Sequence, residues 1–248
     1  MEQNLSKKLF HICMIIVIIA VILFGVGILI IRYQVEGETN LPFNISKISI
    51  ISSVDGKDNK DDVNKWNITV NQNNDIYIYI DKNNSYNKTE IIDSIIVDNI
   101  TFNKETEKGQ INIYKPTEKG TNIFENSEDS ITNQIIYTGD MESNIKKLKI
   151  SNQGGLVVFR IANDKVATFI SNDWEQVDYS KLLQSTKTTY EDLKAIVNMD
   201  LTIKLKSGKS YRTNLHIDVP INEIVEKGTS SKEITDTKEF IFKRIENN

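Results

Sequence analysis

Beyond residue 33 the chain carries one histidine, His216, and no cysteine, so groups able to act as nucleophile or general base near neutral pH are scarce. His216 and Asp218 lie two apart in an alternating stretch, which places a base and a carboxylate on one strand face. That is a fragment of a Ser-His-Asp arrangement. No G-x-S-x-G turn presents a serine to it. His216 therefore reads as an exposed strand residue beside Arg212 and Asn214. A zinc centre needs further His or Cys ligands, and both types are nearly absent. Neither G-x-x-x-x-G-K-[ST] nor G-x-G-x-x-G occurs, so no phosphate-cradling loop is expected. The run Asp55-Gly-Lys-Asp-Asn-Lys-Asp-Asp62 is rich in carboxylates, yet it lacks the spacing and closing Glu of a calcium loop and reads as a solvated loop. The many remaining carboxylates single out no pair for glycan hydrolysis. No catalytic, cofactor-binding or metal-binding residue is assigned, and no cofactor is expected.

Two aromatic features bear on binding. Tyr77 and Tyr79 alternate with isoleucines and so face away from them, where they can cover a sheet or stack on a sugar. Trp174, in Ser171-Asn-Asp-Trp-Glu-Gln, sits in a polar stretch; Trp is favoured at binding hot spots, but packing against a sheet rim is the commoner use of such a residue.

The element on which the rest depends is residues 9–31, an almost unbroken apolar run. As a helix it covers about 34 Å at about 1.5 Å per residue, enough for a hydrocarbon core of about 30 Å. It is longer than the apolar core of a cleaved signal peptide and ends without a small-residue cleavage pattern, so it reads as an uncleaved signal anchor. Lys7 and Lys8 precede it and Arg32 follows, a charge bias that points to a cytoplasmic N-terminus. His11 falls near the headgroups with no acidic partner in the segment. Cys13 is a small apolar filler within the helix.

The expected organisation is a cytoplasmic tail (1–8), the transmembrane helix (9–31), a juxtamembrane spacer (32–42) and an extracytoplasmic domain (43–248) with a candidate seam near 118–130. Residues 33–248 hold 27 basic and 33 acidic side chains, a net charge of −6. That balance argues against a nucleic-acid partner. With Cys13 the sole cysteine, the domain has no disulfide and must be stabilised by its own core.

Along this domain the periodicity is that of strands. Phe43 to Ser53, Trp66 to Val70, Asp75 to Asp81, Ser94 to Phe102 and Gln110 to Tyr114 all read so, with an irregularity expected at Ile50-Ile51 and a polar turn between Val70 and Asp75. Ile131 to Thr138 and Ile145 to Ile150 follow on either side of Gly139-Asp140. Leu156 to Ala162 and Lys165 to Ile170 read as a hairpin across Asn163-Asp164. Asp178 caps a short helix, and Thr188 with Glu191 fits a capping box for another. Ala195 to Leu205 is the clearest strand, turned by residues 206–209 into Tyr211 to Val219. A loop holding Gly228-Thr-Ser-Ser231 leads to a last strand, Phe240 to Ile245. The predicted fold is mainly β: a transmembrane helix followed by an antiparallel β-sandwich with one or two short helices.

The segment from Arg32 to Ile51 (RYQVEGETNLPFNISKISII), with Gln72 to Tyr77, Ile150 to Gly155 and Thr202 to Lys209, resembles a group of uncharacterised single-pass membrane proteins of clostridia and related low-GC Gram-positive bacteria. The resemblance covers nearly the whole chain. It implies a membrane location, assigns no activity and transfers no functional residue. The reading that results is a membrane-anchored, non-enzymatic envelope protein that contacts the bilayer through residues 9–31 and binds an envelope protein partner. A wall-glycan-binding module or glycan-acting enzyme is the alternative.

Overall fold

The structure, a computed structural model, describes residues 2–59, 65–104, 108–171 and 177–246, with side chains described from Phe10 onwards. It divides into two units, residues 1–39 and 40–248.

The first unit is one helix, α1 (Glu2–Glu36). From Phe10 to Glu36 it is long and apolar enough to cross a membrane, and none of that stretch is buried within the protein. The helix runs five residues past Ile31, through what the apolar pattern alone assigns to the spacer. The apolar run marks where lipid-compatible side chains end, whereas the backbone ladder continues. Arg32 Nε reaches Glu36 Oε2 at 2.7 Å one turn later. Gly37, at φ 70°, then stops the helix and donates its N–H to Tyr33 O at 2.9 Å.

The second unit is a sandwich of two sheets. The first sheet has the order β10-β1-β2-β7-β4. Its strands are β1 (Phe43–Asp58), β2 (Trp66–Lys82), β4 (Gln110–Tyr114), β7 (Gly155–Ser171) and β10 (Thr229–Ile234). The second has the order β11-β9-β8-β3-β5-β6. It is built from β3 (Ile92–Lys104), β5 (Ile135–Asp140), β6 (Lys149–Ser151), β8 (Ala195–Leu205), β9 (Ser210–Val219) and β11 (Lys243–Ile245). Pairing is antiparallel throughout except between β5 and β6, which run parallel.

Facing rows of aliphatic and aromatic side chains, isoleucine and valine foremost, make the main core. Ile48, Ile50, Ile76, Ile78, Val157 and Phe159 of one sheet meet Ile95, Val97, Tyr137, Val197, Leu201 and Leu215 of the other, all buried. Each such side chain contributes about 1.5–3 kcal/mol on burial. β1, β2 and β7 run on to a second, smaller core. There Ile68, Val70 and Val166 are covered by Leu182 and Leu183 of α2 (Leu182–Ser185), Leu193 of α3 (Tyr190–Leu193) and Ile224 of α4 (Ile224–Lys227).

The two cores lie along the same face of β2, whose even-numbered residues from Ile68 to Ile80 all point inward. Between them lies a polar layer. Ser52 Oγ donates to Asn74 Oδ1 at 2.8 Å, Gln72 Nε2 donates to the same oxygen at 2.9 Å, and Asn74 Nδ2 donates to Ile161 O at 3.2 Å. Ser52 Oγ in turn accepts the N–H of Ile221 at 2.9 Å. Ser52, Gln72 and Asn74 are all buried. This layer corrects the turn expected after Val70. Residues 71–74 continue one strand because their amides find partners inside the protein.

The hairpin expected at Asn163-Asp164 is corrected for the same reason. β7 is one strand, and both of its halves pair with β2. Between the pairs Val70/Ala167 and Gln72/Asn163, β7 has three residues where β2 has one. The excess forms a bulge with Lys165 at φ 56°. The positive φ foreseen for a turn is used, one residue later, to bend a strand.

Smaller corrections follow the local hydrogen bonds. Ile50 is buried and Ile51 exposed in ordinary alternation; the register shift lies between Ile45 and Lys47. Asp55 and Asp58 belong to β1, not a loop, while residues 60–62 lie outside the described residues. Gly139 and Asp140 end β5, and residues 145–147 form a 3-10 turn before β6. Asp178 caps as expected, accepting the N–H of Ser180, but the capping box joins Thr189 and Asp192. Thr229–Ile234 is a strand on the β1 edge. Phe240 and Phe242 are buried ahead of β11, which begins only at Lys243.

Candidate functional site

The outward face of the first sheet is partly covered by residues 115–131, a strap that leaves β4 and returns to it. Lys115 N–H donates to Ser130 O at 3.0 Å and Thr132 N–H to Ile113 O at 2.9 Å, so both ends of the strap are tied beside β4. Its middle is fastened by Arg160. The guanidinium donates to both oxygens of Asp75, its cross-strand neighbour, at 2.6 and 3.0 Å. It also donates to Asn126 Oδ1 at 2.9 Å and lies 4.7 Å from the centre of the Phe124 ring. Asn126 completes the fastening by donating to Asn73 Oδ1 at 3.1 Å. A planar, five-donor group is what such a three-way junction requires.

Two clefts flank this junction. One, of about 530 Å³, lies between the end of β1, Tyr77 and Phe124. Tyr77 is half-buried there, and burial with the nearby Asp75 carboxylate raises its hydroxyl pKa above the ordinary value. The other, of about 390 Å³, opens over Asp164 at the β7 bulge. Asp164 is 9 % exposed. Its Oδ2 accepts from Tyr114 Oη at 2.6 Å and from Asn112 Nδ2 at 2.8 Å. Burial and the hydrogen bond to this carboxylate push the Tyr114 hydroxyl well above its ordinary pKa, so it remains a donor at any physiological pH.

No family model, curated protein or solved structure matches the chain. The reading of this surface rests on its own geometry.

The residues singled out by the sequence are dispersed. His216 is exposed on β9, its Nδ1 2.7 Å from Asn198 Oδ1 of β8. An amide partner holds the ring in place and offers no charge relay. Asp218 lies further along the same face of β9, in a groove of about 500 Å³ against β10 that also takes in His216. Tyr79 is covered by Lys47, whose Nζ is 4.6 Å from the ring centre, so it is a sheet-covering residue. Trp174 lies outside the described residues. Among the described residues, no group of three or more His, Cys, Asp or Glu is arranged to hold a metal ion.

Arg160, Asp75, Tyr114 and Asp164 were not singled out from the sequence. A signal for two of them was present: Arg160 and Asp164 are ionisable residues inside the mainly apolar run from Leu156 to Ile170, which also holds Lys165. A charge within a buried strand needs a partner, and the partners here lie on β2 and β4.

Proposed function

We propose that the protein is a non-enzymatic binding protein of the cell envelope, held in the membrane by α1 with its N-terminus cytoplasmic and its β domain outside. The observation that carries this reading is the exposure of the apolar side chains of α1 from Phe10 to Val35, a surface of the length and character a bilayer covers. Lys7 and Lys8 ahead of the apolar run favour the cytoplasmic side for the N-terminus. The strapped face of the first sheet, at the cleft beside Tyr77 and Phe124, is the docking surface for an envelope protein partner. The pairing of His216 with a neutral amide supports binding over catalysis.

Single cysteines at Lys7 and Glu246, in a Cys13→Ser background, test the orientation with a membrane-impermeant maleimide on intact cells. Labelling at 246 alone is expected, and labelling at 7 alone overturns the orientation. Cross-linking in living cells, followed by purification of the full-length protein in mild detergent, tests the binding role. A stoichiometric protein partner supports it, and its absence counts against it.

A second reading, a glycan-binding module, is favoured by one observation. The cleft over Asp164 is lined chiefly by amides, hydroxyls and a buried carboxylate, a lining suited to a hydrated ligand.

A further inference from the structure

The buried carboxylate of Asp164 is only half used. Both of its hydrogen bonds, from Tyr114 and Asn112, go to Oδ2. Oδ1 has no hydrogen-bond partner among the described residues, and Asp164 lines the cleft. A carboxylate held in one orientation by a tyrosine and an amide, with its second oxygen unpartnered beside an open cleft, is an acceptor awaiting a donor.

The rest of the cleft limits what that donor belongs to. Four charged side chains line it: Lys57 and Lys165 against Glu128 and Asp164. Their charges cancel, which gives no net attraction for an anion or a cation. The remaining polar lining is mostly primary amide, from Asn59, Asn71, Gln110 and Asn112. A primary amide donates and accepts at once, as a sugar hydroxyl does, so the two match in pairs along a ring. Thr69 Oγ1 already donates to Asn59 Oδ1 at 3.1 Å while Asn59 Nδ2 donates to Asn67 Oδ1 at 3.3 Å, and Asn71 Oδ1 accepts the Lys165 N–H at 2.8 Å, which leaves its Nδ2 for a ligand. These bonds orient the Asn59 and Asn71 amides before any ligand arrives. The cleft, about 390 Å³, is of the size that accepts small ligands.

We propose that this cleft binds an uncharged saccharide, with Asp164 Oδ1 accepting a hydroxyl hydrogen of the sugar. The inference deepens the glycan reading given above and does not depend on the protein partner. The β7 bulge has a direct part in it: the extra residues at 164–166 carry Asp164 and Lys165 to the cleft.

The test uses the full chain in phospholipid nanodiscs, titrated with N-acetylglucosamine, chitotriose and cellotriose, and with trigalacturonic acid as the anionic counterpart. Binding is read by ligand-observed NMR and calorimetry. At least one neutral sugar binds, Asp164→Asn weakens it about tenfold by removing the charge from the acceptor, and Lys88→Gln, at an exposed lysine away from the cleft, changes it less than about twofold. Tyr114→Phe, which keeps the packing and releases the carboxylate, weakens it about three- to fivefold and serves in place of Asp164→Asn should that variant not fold. A trimer binding more tightly than the monomer assigns the site to a polymer; equal binding assigns it to a free sugar. Absence of neutral-sugar binding, preference for trigalacturonic acid, or undiminished binding by a folded Asp164→Asn overturns the proposal. If no sugar binds while cross-linking still recovers a protein partner, the saccharide assignment falls and the anchored binding protein stands.

Discussion

Tyr137 of one sheet hydrogen-bonds twice to Val158 of the other. Its hydroxyl donates to Val158 O at 3.0 Å and accepts the Val158 N–H at 3.2 Å. β4 pairs with β7 only from Arg160 to Asp164, so Val158 lies beyond the reach of β4. The tyrosine stands where a further strand residue would, and it does so from within the core.

Tyr137→Phe therefore removes one hydroxyl and leaves two buried backbone groups without a partner. The expected loss is about 2–3 kcal/mol, far more than the change in packing would produce. Denaturant unfolding of the variant, at unchanged m-value, checks this. A loss below about 0.5 kcal/mol would mean that the pair is not formed.

The polar layer between the cores makes a second prediction. Asn74→Ala withdraws partners from Ser52, Gln72 and the carbonyl of Ile161 together. It should cost about 2–4 kcal/mol, and more than Ile78→Val in the neighbouring core at about 0.5–1.5 kcal/mol. Comparing the two variants in one unfolding series separates loss of the network from loss of volume.

Arg160, fixed by Asp75 of β2, holds the strap through two contacts, with Asn126 and Phe124, so its removal should free that segment. Arg160→Ala is expected to destabilise by about 2–3 kcal/mol and, by loosening the strap, to speed tryptic cleavage after the already exposed Lys119 in the otherwise folded protein. Arg160→Lys keeps the charge without the planar fork and should restore little of the protection. Limited proteolysis with identification of the cut site decides it.

Acid should act on the cap of α3. The hydrogen bond from Lys108, with those from Thr189, lowers the Asp192 carboxyl to a pKa of about 2, below its ordinary 3.8. A carboxyl lowered on folding stabilises above its unfolded pKa, and that stabilisation is lost as pH falls through the folded value. Asp192→Ala should thus cost about 1 kcal/mol at pH 6, after allowance for solvent screening, with the gap to the wild type closing between about pH 4 and pH 2. Thermal unfolding of both proteins across that range is the measurement.

What could be read from the chain depended on how far each element's hydrogen bonds reach. Ala195 to Leu205 alternates over its whole length, and the strand has those bounds. The presence and apolar character of the N-terminal helix were equally plain, but not its ends at Glu2 and Glu36, since the backbone ladder continues beyond the apolar run. Residues 71–74 and 163–164 were read as turns because asparagine and aspartate usually bond to nearby backbone. Gln72 does bond the neighbouring Asn73 carbonyl, but the decisive partners of Asn74 and Asp164 are Ser52, Ile161, Tyr114 and Asn112, on other strands, and no local pattern announces that. The cleft over Asp164 was hidden for the same reason. It exists only once β4 and the β7 bulge are side by side.

The polar layer of Ser52, Gln72 and Asn74 has a consequence for how the domain comes apart. Apolar contacts lend each other support only while they are continuous, and here continuity is interrupted. The helix-covered end can open as a cooperative unit of its own while the sandwich stays closed. The amides of Leu182–Ser185, Tyr190–Leu193 and Ile224–Lys227 then exchange with solvent at a lower free energy than those of Ala195–Leu205. One continuous strand, β2, thus belongs to two regions of unequal permanence.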